Sequence, residues 1–381
     1  MTAGNVVPVR SRSFVQADHA AFPQVAEGPA GVFPHPRIVH IIAQNDELAD
    51  DLVSFADELI GGSWWSIVGV EYGVGTAESL RVIGPAIVAN PTRSDMERYI
   101  LNVIAAHPVF APDGSSIYML YLPNGIVALE DAFDPPRPNN YCSFYSGYHL
   151  PLGHGPDNWA VAQRCSLLGS HQQQLDSLTE TASHEIIESA TDPVAGFQIP
   201  ITSTTTPWID DIWAWSYAGT VEVADLCGDA SIRQGRFLLQ RSWSNQAARG
   251  AGDPCVPAVA TPYFNASAPE GWYPIAAAAT IDVPITGWST TSIDDWLVEV
   301  RLMNGWRGFD ASLTSATSTT TMSGAFSMTL NNGRVATLHV TAPKEAVAGR
   351  TYVVASIMSR ALVSNGDPPH SWPIGFYVPA N

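Results

Sequence analysis

Lysine is almost missing from this 381-residue chain: Lys344 stands alone, and the remaining basic charge is arginine. Charged residues make up only 14%, and 36 acidic against 18 basic residues give a formal charge of −18. Nucleic-acid binding needs a basic footprint, and an anionic bilayer attracts one, so the expectation is neither a nucleic-acid partner nor a membrane. No apolar run reaches the ~18–20 residues of a membrane-spanning helix. The N-terminal MTAGNVVPVRSRSF has no apolar stretch after its basic residues, so no secretory signal is visible. Either one was removed beforehand or export takes another route. The four cysteines lack C-x-x-C spacing, which argues against a zinc–thiolate cluster. A G-x-S-x-G elbow, a Walker A loop and a dinucleotide fingerprint are also missing, which removes the usual serine-hydrolase, P-loop and Rossmann readings.

What is present centres on Thr181–Pro193, TASHEIIESATDP. His184, Glu185 and Glu188 spell H-E-x-x-E. Four helical residues turn the chain by about 400°, so His184 and Glu188 share one face, one turn apart. This is the spacing of the H-E-x-x-H zinc helix with a carboxylate replacing the second imidazole. In that motif the two residues one turn apart hold the metal, and the intervening Glu is the general base. Glu185 takes that role here. Asp192-Pro193 ends the helix, because the residue before proline avoids the α region. A solvated acidic helix face would carry the same letters, so the motif needs partners.

The obvious source is downstream, in GTVEVADLCG, where Glu222 and Asp225 stand three apart ahead of Cys227. One of them is the third ligand and the other orients His184 from behind, in either order. Asp192, one turn past Glu188 if the helix continues, is a further ligand candidate. One imidazole and several carboxylates suit Zn²⁺, with Ca²⁺ or Mn²⁺ as alternatives. His149 and His154 lie in GYHLPLGHG, read as a flexible loop, and one of them could face the substrate or stabilise an oxyanion. Tyr145, Tyr148 and Tyr217 are possible donors, and Asp210-Asp211 a calcium-type pair.

Along the chain, 1–30 is an irregular lead-in rich in Ala, Pro and Gly. Arg37–Ala43, RIVHIIA, is an apolar β-branched run and reads as a strand buried on both faces. Asp46–Ile60 has helical spacing and ends at Gly61-Gly62. Met96–Ala106 is a helix capped by Ser94 or Asp95. Ser116–Leu122 is a strand, Tyr141–His149 and Trp159–Arg164 a strand pair, Gln172–Thr191 the motif helix, and Arg236–Arg241 another strand. Beyond Val256–Tyr263 helical periodicity fades. Short strands separated by Gly, Asn, Ser and Pro turns then read as an immunoglobulin-like sandwich, with Thr314–Ser323 a loop or edge. The expected fold is an α/β or α+β zincin-like core around the central metal-motif helix, residues 31–258, followed by an all-β immunoglobulin-like sandwich, residues 259–381. An even cysteine count, falling as local pairs, suggests two disulfides and an oxidising compartment.

SHEIIESATDP, VEVADLC, the strand ending QRSWSNQA and Cys255 in DPCVP occur in one order. With Cys142 in YCSFYSGYH and the RIVHIIA start, they make residues 30–258 resemble the exordium-like, or phosphate-induced, protein family. The resemblance implies that His184, Glu185, Glu188, Glu222 and Asp225 form one site. It also implies the pairs Cys142–Cys165 and Cys227–Cys255, and an extracellular, cell-wall-associated setting. Tyr145 departs from the family, whose members often carry His shortly after the Cys, and His149 is a candidate substitute. VTAPKEAVAGRTYVV resembles strand pairs of immunoglobulin-like modules on secreted bacterial enzymes. The functional expectation is a secreted metal-dependent hydrolase, most simply a zinc peptidase acting on a peptide or a cell-wall polymer. The alternative is an extracellular binding protein with a structural metal.

Overall fold

A computed structural model describes residues 14–22, 24–25, 31–130, 137–138, 146–153, 155–164, 169–193, 222–228, 230–250, 252–304, 309–315, 327–348, 352–363 and 369–379. Cys142, Cys165, Tyr145, His154, Asp210, Asp211 and Tyr217 therefore lie outside the described residues, as does most of Thr314–Ser323. The chain divides into two compact units, Ala21–Ala260 and Thr261–Asn381 with Met1–Ala20. No described helix is long and apolar enough to cross a membrane.

The first unit is built on a mixed sheet. Its elements are β1 (Arg37–Ala43), α1 (Ala49–Gly61), β2 (Glu78–Gly84), α2 (Arg93–Ala106), β3 (Ser116–Tyr121), β4 (Gly147–Pro151), β5 (Asn158–Ala162) and α3 (His171–Thr191). The five strands run in the order β2-β1-β3-β5-β4. β2, β1, β3 and β5 are parallel, and β4 closes the edge antiparallel to β5. β1 is apolar apart from Arg37 at its start and the buried His40, because both faces are covered. Ile38 and Ile42 pack with Phe55 and Leu59 of α1 and Ile186 of α3. Val39 and Ile41 pack with Met96, Ile100 and Val103 of α2. The period-2 alternation of β4 sends Tyr148 and Leu150 into that second cluster, which leaves His149 for the opposite face.

Capping corrects one expectation. α2 starts after Thr92, whose hydroxyl accepts from the Asp95 N–H while Asp95 accepts back from Thr92. Asp95 is the third helical residue, and neither it nor Ser94 is the cap. α3 opens with the same reciprocal device, Ser170 with Gln173. From Leu175 to Thr191 most of α3 is buried. The sheet covers one side, and a hairpin of β6 (Ser231–Gln234) and β7 (Phe237–Gln240) covers another. Thr179 donates to Leu238 O, and Ser183 Oγ accepts from Gln240 N, which fixes the hairpin's register on the helix. Buried Arg164, ion-paired with Asp46 and Glu47, ties the end of β5 to the start of α1.

After the hairpin come β8 (Ser242–Trp243), α4 (Asn245–Arg249) and β9 (Cys255–Val256). The lead-in is divided between the units. Phe22 packs edge-on to Trp243, and Val25 N–H donates to Asn245. By contrast, Val15 O and Ala17 N bond the Asn332 side chain, and His19 stacks on Trp288 at 3.7 Å, all within the second unit.

The described part of Thr261–Asn381 is all β. One sheet has the order β10-β12-β16-β14, from β10 (Phe264–Ser267), β12 (Thr280–Ser289), β14 (Asp310–Ser315) and β16 (Val335–Thr341). The other is β11-β18-β17-β13-β15, from β11 (Trp272–Pro274), β13 (Trp296–Asn304), β15 (Ser327–Leu330), β17 (Tyr352–Ala361) and β18 (His370–Tyr377). Alternation is clear in β16, where Ala336, Leu338 and Val340 are buried between exposed or half-buried neighbours.

Candidate metal centre

The last turns of α3 carry His184, Glu185 and Glu188, and three other segments bring groups to them. β4 contributes His149. It is a buried strand residue, not the flexible-loop residue that GYHLPLGHG suggested. Glu222 and a 3-10 turn, Asp225–Cys227, approach from the side. Gln240 closes the back from the end of β7.

His184 Nε2 stands 2.9 Å from Glu188 Oε2, 3.4 Å from Asp225 Oδ1 and 4.0 Å from Glu185 Oε1. Its Nδ1 is 3.0 Å from Gln240 Oε1. Gln240 Nε2 donates to Ala224 O at 2.6 Å, and a carbonyl only accepts, so Oε1 must be the atom facing His184. His184 Nδ1 therefore carries the proton, and Nε2 is left to face the carboxylates. A metal-ligating His is normally oriented this way, by an acceptor on its other nitrogen. Glu222 or Asp225 was expected in that orienting place. The structure puts Gln240 there, and its 56-residue separation from His184 gave no sequence signal.

His149 Nδ1 lies 3.5 Å from Glu185 Oε2 and 4.0 Å from Glu188 Oε2, and its Nε2 lies 3.4 Å from Glu222 Oε1. The Asp192 carbonyl is 3.2 Å from the same Nε2. Asp192 itself caps the C-terminus of α3. Among the described residues its side chain joins neither metal-capable group. Those groups are His184, Glu188 and Asp225, and His149, Glu188 and Glu222, each with ligand atoms within 4.8 Å of one another.

Local packing forces this convergence. A Cβ on Gly147 would lie 2.4 Å from Val161 O, 2.6 Å from Thr181 Cγ2 and 2.9 Å from Glu185 Oε1. Glycine thus lets α3 press against the edge strand. On the other side, the Cys227–Cys255 disulfide ties the Glu222–Asp225 segment to β9. Trp243 N–H donates to Val223 O, and Asp225 N–H donates to Glu188 Oε1 at 3.0 Å.

The electrostatics are crowded. Burial, then the charges of Glu188 and Asp225, push the Glu222 carboxyl well above the ordinary range. Burial and Glu188 do the same to Asp225. Burial also raises Glu185, against the pull of His149 and His184. Burial works to raise Glu188, yet the two imidazoles hold it below its usual value. Burial works to lower His184, and the surrounding carboxylates outweigh it and raise it well above the usual value. Glu188 Oε2 is buried without a well-aligned hydrogen bond despite the nearby imidazole. An orphaned carboxylate oxygen among imidazole nitrogens and carboxylates is the environment a divalent cation satisfies. The donors present therefore fit a metal. Glu222 and Asp225 side chains keep 16% and 26% exposure, so the group opens to solvent on their side.

No family model matches the chain, and no curated protein matches it in sequence. Among solved structures, a conjugative transposon lipoprotein from Bacteroides eggerthii aligns at 13% identity over 30% of this chain and 95% of its own, with a TM-score of 0.22. A conjugate transposon protein from Bacteroides vulgatus aligns at 13% over 30% and 82%, with a TM-score of 0.22. A family 123 glycoside hydrolase from Clostridium perfringens aligns at 10% over 32% and 28%, with a TM-score of 0.20. Likenesses this slight carry no argument about fold or chemistry.

Proposed function

We propose that this protein is a secreted, metal-dependent hydrolase, in its simplest form a zinc peptidase with a zincin-like core. One observation carries the reading. Glu185 is buried beside the metal-capable groups, 3.5 Å from one imidazole and 4.0 Å from the other, yet belongs to neither donor set. A structural site has no use for a second carboxylate there, whereas hydrolysis needs a base next to the ligands.

His184, Glu188 and Asp225 would hold the ion. Imidazole is a poor ligand for Ca²⁺, so a set containing it fits Zn²⁺ or Mn²⁺ better. When bound, such an ion lowers the pKa of water and polarises a carbonyl. The chain's own work is then plain. Gln240 holds His184 with Nε2 forward. Glu185, its pKa raised by burial, takes the water's proton and returns it to the leaving amine. β4 is the edge strand, with its outer side free of any described strand, and offers main-chain groups to an extended peptide. The Cys227–Cys255 disulfide supports an oxidising, extracellular setting. The segments that resemble exordium-like proteins, SHEIIESATDP and VEVADLC, are the ones that supply most of these donors, which supports kinship with that family.

The test is Glu185→Gln, which keeps shape but removes the proton acceptor. Bound metal should stay at the wild-type level while turnover of a fluorogenic peptide library falls by about 10²–10⁴-fold. Unchanged turnover would make Glu185 a bystander. A wild-type protein that holds metal but cleaves neither peptides nor wall glycans would favour the binding-protein reading.

A further inference from the structure

A single ion on His184, Glu188 and Asp225 leaves a second constellation without a task. His149, Glu188 and Glu222 form their own triad, and the two triads share only Glu188. An imidazole side chain that is 3% exposed has been set into this corner of the first unit opposite a carboxylate, and nothing in a one-ion site requires it.

The hydrogen-bonding inventory sharpens the point. A neutral imidazole has one N–H and one lone pair. Among the described residues, both nitrogens of His149 face acceptors: Nδ1 faces Glu185 and Glu188, and Nε2 faces Glu222 and the Asp192 carbonyl. Whichever tautomer forms, one lone pair is aimed at oxygens that cannot donate when ionised. His184 repeats the pattern, with Nδ1 on Gln240 Oε1 and Nε2 on Glu188 and Asp225. Each ring therefore calls for positive charge at that place, supplied by added protons while no metal is bound and by a cation when one replaces them, and each ring faces Glu188. That carboxylate is 1% exposed, and its Oε2 is the orphaned atom, 2.9 Å from His184 Nε2 and 4.0 Å from His149 Nδ1.

We propose that Glu188 bridges two divalent cations, one held by His184 and Asp225 and the other by His149 and Glu222. This rests on the metal-dependent reading above and changes its stoichiometry from one ion to two. Paired ions sharing a carboxylate stand about 3.5–4 Å apart in two-metal hydrolytic sites. One imidazole plus carboxylates on each side suits Zn²⁺ or Mn²⁺.

The experiment loads metal-stripped, full-length protein with Mn²⁺ or Zn²⁺ and counts ions per chain by plasma mass spectrometry after desalting. Electron paramagnetic resonance of the Mn²⁺ form is recorded alongside. Two ions per chain with an exchange-coupled Mn²⁺ signal are expected. His149→Ala should then hold one ion and show the isolated six-line Mn²⁺ spectrum. One ion in saturated wild-type protein overturns the bridge and leaves the mononuclear hydrolase standing, whereas no ion at all removes both. Two ions with uncoupled spectra, or a folded His149→Ala that still holds two, also overturn the bridge. If His149→Ala does not fold, the wild-type count and spectrum decide alone.

Discussion

Replacing Gln240 by leucine removes one side chain with two jobs. Its Oε1 accepts from His184 Nδ1 at 3.0 Å, and its Nε2 donates to Ala224 O at 2.6 Å. Leucine fills similar volume but leaves the imidazole N–H and the carbonyl without partners in a buried position. Each abandoned group costs about 1–3 kcal/mol of fold stability. The effect on the metal is separate. Loss of the acceptor frees His184 to rotate and to take the other tautomer, and loss of such a partner typically weakens metal binding about 10–100-fold. In free energy that is about 1.4–2.8 kcal/mol. Gln240→Glu separates the two effects. It keeps an acceptor on Nδ1, so affinity should hold or rise, but it loses the donor to Ala224 O, so stability should fall. Zinc affinity is read by competition with a chromogenic chelator, and stability by urea unfolding of the metal-free protein. A folded Gln240→Leu variant with wild-type zinc affinity would refute the assignment of Gln240 as the orienting group.

Gly147→Ala should destabilise the first unit by about 1–3 kcal/mol through overpacking, because the new Cβ would meet Val161 O at 2.4 Å; an unchanged urea midpoint would contradict this. The Cys227→Ser/Cys255→Ser variant should lose about 2–4 kcal/mol. It should also bind metal more weakly, since the 28-residue link anchors the Glu222–Asp225 segment; equal stability and affinity would show the link to be idle. Burial, then the nearby Arg81 charge, hold the His40 imidazole down to about 3 from its ordinary 6.5. The unfolded chain takes up this proton below about pH 6.5 and the native state only below about 3. His40 therefore contributes stability above pH 6.5 that is lost as pH falls through that window, on the order of 1.4 kcal/mol per pH unit. His40→Gln should flatten the acid limb of the stability curve by one proton, and parallel curves would exclude the effect.

Several elements were legible because their signals are local. RIVHIIA reads as a strand because five of its seven residues are apolar and most of those β-branched, and the structure places β1 inside a sheet covered on both faces. β16 declares itself by alternation. β2, ESLRVIG, was missed because it is an edge strand with polar, half-exposed residues and no clean period. The helical cap was misplaced by two or three residues because Thr92, Ser94 and Asp95 are all cap formers, and only the folded backbone selects Thr92. His149 was legible as a residue but not as a position. GYHLP does not say which face of β4 meets α3, and one residue of register would have turned it away.

The sequence by itself determined the part of the site that fits within one helical turn. His184, Glu185 and Glu188 are placed relative to one another by the 3.6-residue period alone, and the downstream acidic pair marked itself by composition. Only the tertiary structure decided the rest. It brought the edge-strand His149 across from α3 through the close approach at Gly147, set Glu222 and Asp225 on different imidazoles, and chose Gln240 instead of an acidic residue to hold His184. The physical reason is separation along the chain. Asp225 lies 37 residues from Glu188 and Gln240 lies 56 from His184, where no backbone period relates them, and only packing and disulfide closure fix which atoms meet.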